Sequence, residues 1–392
     1  MSDQRTQSKN KIKVVAAIDS FKGSLSTVEA GNAVRDGVLR VYENAQVVVS
    51  PLADGGEGTV EALTRGKPDD LVSVTVTGPL GLPVPAVYGM IDSGKTAVIE
   101  MAAAAGITLV PTGKRDPLYT TTYGVGEMIA DAIKRGCRNF IIGIGGSATN
   151  DCGVGMLAAL GFTFLDENGQ PVPFGAHGVG RIRRIDCKNA LPTLSECAFH
   201  VACDVKNPLC GENGCSAIYG PQKGASPETV QRMDGYLRAF ALLTAKVLGC
   251  DHSFTPGAGA AGGLGFAFLS YLKATLEPGI DLVIRETHLE DEIRDADLVV
   301  TGEGRLDEQT CMGKAPAGVA AIAAKYGIPV IAFSGCVTDG ARVLPAHGIH
   351  AFFPVLRTPC TVEEAMETKA AYKNLSDTSE QVFRLIRAVR TK

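Results

Sequence analysis

The stretch FIIGIGGSATNDCGVGML, residues 140–157, decides how the chain is read. Phe140-Ile141-Ile142 is a short apolar run of the kind found in a buried strand. Met156 to Leu160 reads as the start of a helix. Between them, glycines at 143, 145 and 146 let the backbone approach a bulky group and adopt angles closed to other residues. Ser147, Thr149 and Asn150 add short hydrogen-bonding side chains, and Asp151 adds a negative charge. A strand, a glycine turn and a helix N-terminus form a ready anion pocket, because the first-turn N–H groups point outward unpaired. A tight turn rich in glycine has the same composition.

Working outward, Val125, Met128, Ile129, Ala132 and Ile133 trace a helix before this stretch, with Lys134 and Arg135 in its last turn and Gly136 as the stop. Before it, Leu71 to Thr77, Val84 to Ile91 and Thr96 to Ile99 are short β runs parted by Gly, Pro and Asp turns, a meander. The chain itself opens β-α-β. Val14 to Ile18 is an apolar run ending at Asp19. Ser26 and Glu29 form a capping-box pair ahead of Ala30, Ala33, Val34, Val38 and Val41 at helical spacing. Val47 to Val49 is the second strand, and Glu57 to Arg65 a short helix. After a mixed region to about residue 290 the alternation resumes. Asp297 to Thr301 is a strand. A helix follows with Pro316 in its first turn and Gly327 as its stop, then strands at Pro329 to Phe333 and Phe352 to Val355. The expected fold is α/β, in two α/β domains. Residues 1–70 plus 291–392 form a discontinuous, Rossmann-like parallel-sheet domain, and residues 71–290 an inserted mixed α/β domain. No internal repeat is present.

Composition narrows the partners. A chain of 392 residues with 45% apolar content can bury a large core. The net charge of −4 offers no basic excess for nucleic acid or an anionic membrane, and the absence of tryptophan argues against base stacking. The 11 cysteines show no C-x-x-C spacing and read as reduced thiols. No apolar run approaches the roughly 20 residues that span a bilayer, and the first 13 residues hold no apolar signal core, so a cytoplasmic protein is expected.

The corners after the terminal strands carry the chemistry. They are DSFKGS (19–24), PLADGGEGT (51–59), TGEGRLDEQT (301–310) with Gly313-Lys314, and Ser334-Gly335. In an open parallel sheet, ligands bind beyond the carboxyl ends of the strands, so these corners should meet along one edge. Phosphoryl transfer needs carboxylates for Mg²⁺, cations for the moving group and N–H donors for the other phosphates. Asp19, Asp54, Glu57, Asp151, Asp204, Glu303 and Asp307 supply the first, and Lys22, Lys223, Arg305 and Lys314 the second. Asp19 with Lys22 and Asp307 with Lys314 are neighbouring opposite charges that surface ion pairing would equally produce. In CDVKNPLCGENG (203–214), Asp204 and Asn207 could hold a metal or a polyol, or form an ordinary Asx turn. Gly257, Gly259 and Gly262 match the dinucleotide pattern G-x-G-x-x-G, but no strand precedes them, and a glycine corner touching a ligand or letting two domains close fits better. No Walker loop is present. The six histidines lack metal-ligand spacing, and His347 and His350 read as structural or solvated.

Taken in order, DSFKGSLS, PLADGGEGT, TYGVGEMIADAI, IIGIGGSATNDCGVGML, CDVKNPLCG, GPQKGA, PGAGAAGGLG, TGEGRLDEQT and GKAPAGVA resemble the glycerate kinase type-1 family. Cys152 departs from the glycine expected after Thr149-Asn150-Asp151, and Met1 to Asn10 is an additional polar extension. The resemblance implies an ATP-dependent kinase that converts D-glycerate to 2-phosphoglycerate, with 3-phosphoglycerate as the alternative product, in glycerate, glyoxylate or aldarate breakdown. It also implies an active site in the cleft between two α/β domains. The rivals are a nicotinamide dehydrogenase and a module that only binds organic acids.

The individual roles come from the chemistry. Gly143, Gly145, Gly146, Ser147, Thr149, Asn150, Gly302 and Gly304 are expected to receive nucleotide phosphates. Lys22 and Lys314 offset charge on the transferred group, and Glu303 or Asp307 holds Mg²⁺. Asp19, preferred over Asp204, accepts the hydroxyl proton. Arg305 anchors the glycerate carboxylate, and Asp54 contacts the substrate. The expected partners are ATP and glycerate, with no nucleic acid or membrane, in a monomer or homodimer.

Overall fold

The structure is a computed structural model that describes residues 12–311 and 314–390. The extension Met1 to Asn10 and Gly313 lie outside the described residues. Strands β1 (Lys13–Ala16) and β2 (Gln46–Val49) open the chain. Next come β3 (Leu71–Thr77), β4 (Pro83–Ile91), β5 (Thr96–Glu100), β6 (Asn139–Gly143), β7 (Thr163–Leu165), β8 (Arg184–Asp186), β9 (Ala198–Ala202) and β10 (Thr275–Glu277). β11 (Leu298–Leu306), β12 (Val330–Val337) and β13 (Ala351–Pro354) close it.

The chain divides into two compact units. The first takes the described residues up to Asp54, then Glu61–Gly66, and Ile280 onward; the second takes Gly55–Val60 and Lys67–Gly279. The sequence reading placed the boundaries at 70/71 and 290/291. The earlier return at Ile280 has a packing reason: Ile280 and Ile284 lie against Gly318 of the helix Ala315–Lys325, which leaves no room there for a side chain.

The first unit is an all-parallel sheet in the order β13-β12-β11-β1-β2. Numbered within the sheet this is 2-1-3-4-5, the flavodoxin-like doubly wound order, and the direction of winding reverses between β1 and β11. The β1–β2 crossover is the helix Thr27–Leu39, started by Ser26 and Glu29 in a capping box. It buries Ala30, Ala33, Val34 and Val38 with Val14 and Ala16 of β1, and with Leu375, Val382 and Phe383 of the helix Thr368–Arg390, in one core.

The second unit is a mixed sheet in the order β10-β9-β6-β5-β4-β3. The expected meander is antiparallel across β3, β4 and β5, but β5 then pairs parallel with β6, and β6, β9 and β10 continue parallel. The carboxyl ends of β5, β6, β9 and β10 therefore share one edge, at Glu100, Gly143, Ala202 and Glu277. The unit has its own core, in which Phe140 and Phe199 of adjacent strands stack at 4.8 Å.

Candidate functional site

In the first unit, five of the expected residues gather at the switch point between β1 and β11. The Asp19 N–H reaches past the end of β1 to the Gly302 carbonyl at 3.0 Å. The Asp19 carboxylate accepts from the Ser20 N–H at 2.7 Å and is buried, with 7% exposure. Burial pushes its pKa up to about 7, with the Asp54 charge adding most and Glu303 adding less, against the pull of the Ser20 amide and Lys22. Asp54 and Glu303 thus each repel a charge on Asp19. Lys22 pairs with Asp54 at 3.7 Å, and Lys314 with Glu303 at 3.4 Å. The sequence-neighbour pairs Asp19–Lys22 and Asp307–Lys314 are therefore not the ones formed: Lys22 is handed to the corner after β2, and Lys314 to Glu303 within its own corner. Arg305, exposed, lies 3.5 Å from Asp307. Asp307 Oδ1 accepts the Gln309 N–H at 2.9 Å, an Asx turn that starts the short helix Glu308–Cys311.

The expected glycine corner at 302–304 needs correction. β11 runs on to Leu306, so both glycines lie inside a strand. A side chain on Gly302 would sit 2.2 Å from the Phe333 carbonyl of β12, and its own carbonyl is taken by Asp19. Strand packing thus accounts for Gly302. Gly304 is partly exposed, beside the backbone of Phe21 and Lys22.

In the second unit, the stretch after β6 divides into two halves. Gly145 and Gly146 are exposed, while Ser147, Thr149 and Asn150 are buried. Gly143 and Gly145 are backed by Gly55 and Gly56; a side chain on Gly143 would meet the Gly55 carbonyl at 2.4 Å. The helix Val154–Ala159 does not offer the open anion pocket expected of its N-terminus. The buried Asp151 carboxylate accepts from the N–H groups of Gly153 and Gly155, both at 3.2 Å, and from the N–H and hydroxyl of Thr122 at 2.8 and 2.9 Å. Asp151 is an internal staple, and the donors left for an anion are upstream, at Gly145 to Ser147. The Thr149 hydroxyl and the Asn150 side-chain oxygen are buried without a partner among the described residues. Lys223 Nζ donates to Ser147 Oγ and the Thr149 carbonyl, both at 2.7 Å. Asp204 is exposed and accepts the Gly279 N–H at 3.0 Å.

Three contributors escaped the sequence reading. Thr27 donates to the Ile18 carbonyl at 2.6 Å and accepts the Leu52 N–H at 2.8 Å, tying the corner after β1 to the corner after β2. Thr310 donates to Glu303 at 2.7 Å and orients it. Glu100, the last residue of β5, accepts the Val60 N–H at 2.8 Å and caps the helix Thr59–Thr64 with its own carboxylate. A carboxylate ending a parallel strand was a signal in hand for Glu100; nothing local marks the two threonines.

The G-x-G-x-x-G segment follows the helix Pro227–Leu248 and a turn, with no strand leading into it. Ala261, Gly262 and Gly263 take left-handed φ of 51°, 68° and 89°. A side chain on Gly262 would lie 2.1 Å from the Thr149 carbonyl. The glycines here brace the loop after β6, and the dehydrogenase reading loses its only sequence support.

Among the described residues no group of three His, Cys, Asp or Glu side chains forms a ready metal cage. The repulsion of an Asp19 charge by Asp54 and Glu303 does fit a divalent ion delivered with a nucleotide, since Mg²⁺ is usually held by one or two carboxylates plus phosphates.

The profile of the glycerate kinase family matches residues 14–387. The glycerate 2-kinase of Escherichia coli (strain K12) is 47% identical over 371 residues, covering 95% of this chain and 97% of that protein. The glycerate kinase of Haemophilus influenzae is 46% identical over 375 residues, covering 96% and 99%. A crystal structure from Salmonella typhimurium LT2 superposes with a TM-score of 0.89 at 45% identity, over 97% of this chain and all of that one. With its doubly wound first unit, its carboxylates at the switch point and this breadth of match, the chain belongs to the glycerate kinase family.

Proposed function

We propose that the protein transfers the γ-phosphoryl group of ATP to D-glycerate, giving 2-phosphoglycerate and ADP. The observation that carries the mechanism is Asp19: a buried carboxyl poised near pH 7, at the switch point of a doubly wound sheet, with Lys22 acting on it and Lys314 paired to its neighbour Glu303. A general base is most effective when its pKa lies near the working pH. The glycerate hydroxyl oxygen forms the new bond to phosphorus as the bond to the ADP oxygen breaks, and Asp19 takes the hydroxyl proton. Lys22 and Lys314 offset charge on the moving group, and Arg305 anchors the glycerate carboxylate. Asp54 contacts the substrate, and the exposed Asp204 ranks below Asp19 as base. The N–H groups of Gly145, Gly146 and Gly304 and the hydroxyl of Ser147 receive the other phosphates, with Thr149 and Asn150 beneath them. Glu303, with Asp307 as the second candidate, would hold the Mg²⁺ of Mg-ATP, which would supply charge neutralisation of the phosphates.

The cysteines are all free thiols, which supports a cytoplasmic setting. No helix among the described residues is long and apolar enough to cross a membrane. A monomer or a homodimer suits the reaction equally.

The test is a coupled ADP-release assay over a panel of hydroxy acids, with phosphorus NMR of the product. Glycerate-dependent ADP release and a phosphate on the 2-oxygen are expected. Glycerate binding without ADP release would leave only an organic-acid-binding module.

A further inference from the structure

Lys223 is buried to 2% exposure, and among the described residues no other lysine or arginine is hidden to that degree. It ends the short turn Pro221–Lys223, followed by Gly224 in a left-handed conformation. Among the described residues no carboxylate pairs with it; the titratable groups that face it are Cys215 and Asp151. A buried ammonium without a paired carboxylate is costly. What it does is specific. Because Ser147 Oγ accepts one ammonium proton, the Ser147 hydroxyl must donate elsewhere. The second bond, to the Thr149 carbonyl, fixes the backbone of the same loop. That loop also holds the unpartnered Thr149 hydroxyl and Asn150 oxygen. A glycine turn without a ligand has no use for a cation beneath it, whereas an anion gains from one.

We infer that Lys223 is a positioning residue for phosphoryl transfer: from beneath the loop it sets the Ser147 hydroxyl as a donor and supplies the positive charge that nucleotide phosphates meet there. This rests on reading residues 143–150 as the phosphate loop. Burial pushes the Lys223 ammonium down to about 8, with Cys215 and Asp151 pulling it back up. A bound anion favours the charged form, so nucleotide affinity is linked to a proton and weakens as the pH rises through that range.

The experiment measures ADP dissociation constants by calorimetry from pH 7 to 9.5 for the wild type, Lys223→Met and Ser147→Ala, with circular dichroism to confirm folding. Wild-type affinity is expected to fall about tenfold over this range. Lys223→Met should bind about tenfold more weakly at pH 7 with the alkaline limb gone, and Ser147→Ala should bind more weakly but keep the limb. A folded Lys223→Met protein that binds ADP like the wild type overturns the inference. If Ser147→Ala alone weakens binding, the loop reading stands and the role of Lys223 falls; if neither variant does, both fall. Should Lys223→Met not fold, a flat wild-type profile overturns the inference unaided.

Discussion

Asp19 carries opposite demands in folding and in function. Its folded pKa of about 7 lies above the ordinary 3.8, so the folded state holds the proton more tightly between those values. Stability contributed by this residue is present at low pH and is lost as the pH rises towards 7, the reverse of a salt-bridged aspartate. Above pH 7 the buried charge is a standing penalty, roughly 2–4 kcal/mol for a shift of this size. Asp19→Asn should therefore raise the urea midpoint at pH 8 while cutting kcat at least about tenfold, a lost general base typically costing about 10²–10⁴. Wild-type kcat/KM should fall as the pH drops below about 7, and the variant should lose that limb. Normal turnover in a folded Asn variant removes Asp19 from the role. Cys152 shows a second conflict. It sits at φ 52°, left-handed, fully buried, where the family resemblance led us to expect glycine. A non-glycine residue there costs about 1–2 kcal/mol. Cys152→Ala keeps that strain and loses the sulfur contacts, so it should destabilise by about 1–2 kcal/mol. Cys152→Gly removes more atoms but relieves the strain, and should be no worse than alanine. A glycine variant clearly less stable than the alanine one in urea unfolding would show that the strain is negligible.

Among the elements, those with a local signal were legible and those set by a neighbour were not. The helix Thr27–Leu39 announced its start through Ser26 and Glu29, and the helix Tyr123–Lys134 its end through Gly136 at φ 106°. β11 outran its apolar run because β12 pairs with it as far as Leu306, a fact recorded in another segment of the chain. The same holds for the site. The corners were visible as glycine and carboxylate clusters after strands, but the partner of Lys22 was decided by which strand adjoins β1. Gly37 is a sharp instance. Propensity alone says that glycine in mid-helix is a weakness and that alanine would gain about 1 kcal/mol. In the structure an added Cβ would lie 2.4 Å from the Ser376 carbonyl and 2.7 Å from Ser379 Cβ of the helix Thr368–Arg390. Both are too close to accommodate without parting the helices, and overpacking costs about 1–3 kcal/mol. Gly37→Ala should therefore lower the unfolding free energy by about 1–2 kcal/mol, read from the urea midpoint. A stabilised variant would mean that the two helices are free to separate there.

Across the whole molecule the order of the chain and the order of the sheets disagree, and this governs how the protein can be divided. The first unit pairs β1 with β11, joining Val14 to Leu298, so its sheet is incomplete until the chain is almost finished. Its core likewise draws on the helix Thr27–Leu39 and on Phe383. The second unit has a large core whose buried residues run from Val76 to Ala274, and every strand of its sheet lies between Leu71 and Glu277. A stretch with its own core and nearly continuous sequence has the attributes of an independently folding domain. Residues 55–60 must go with it, because Gly55 and Gly56 back the loop after β6 and Val60 donates to Glu100. We therefore expect a fragment of residues 55–279 to fold alone, with a cooperative thermal transition and slow amide exchange in β5, β6 and β9. A fragment of residues 280–392 should not, since it carries β11, β12 and β13 but leaves the β1 side of β11 unpaired. The fragment 55–279 should also keep Lys223 bonded to Ser147 and release no ADP from ATP and glycerate, because Asp19, Glu303 and Lys314 are missing. A broad, non-cooperative melt of that fragment would show that the second unit needs the first in order to fold.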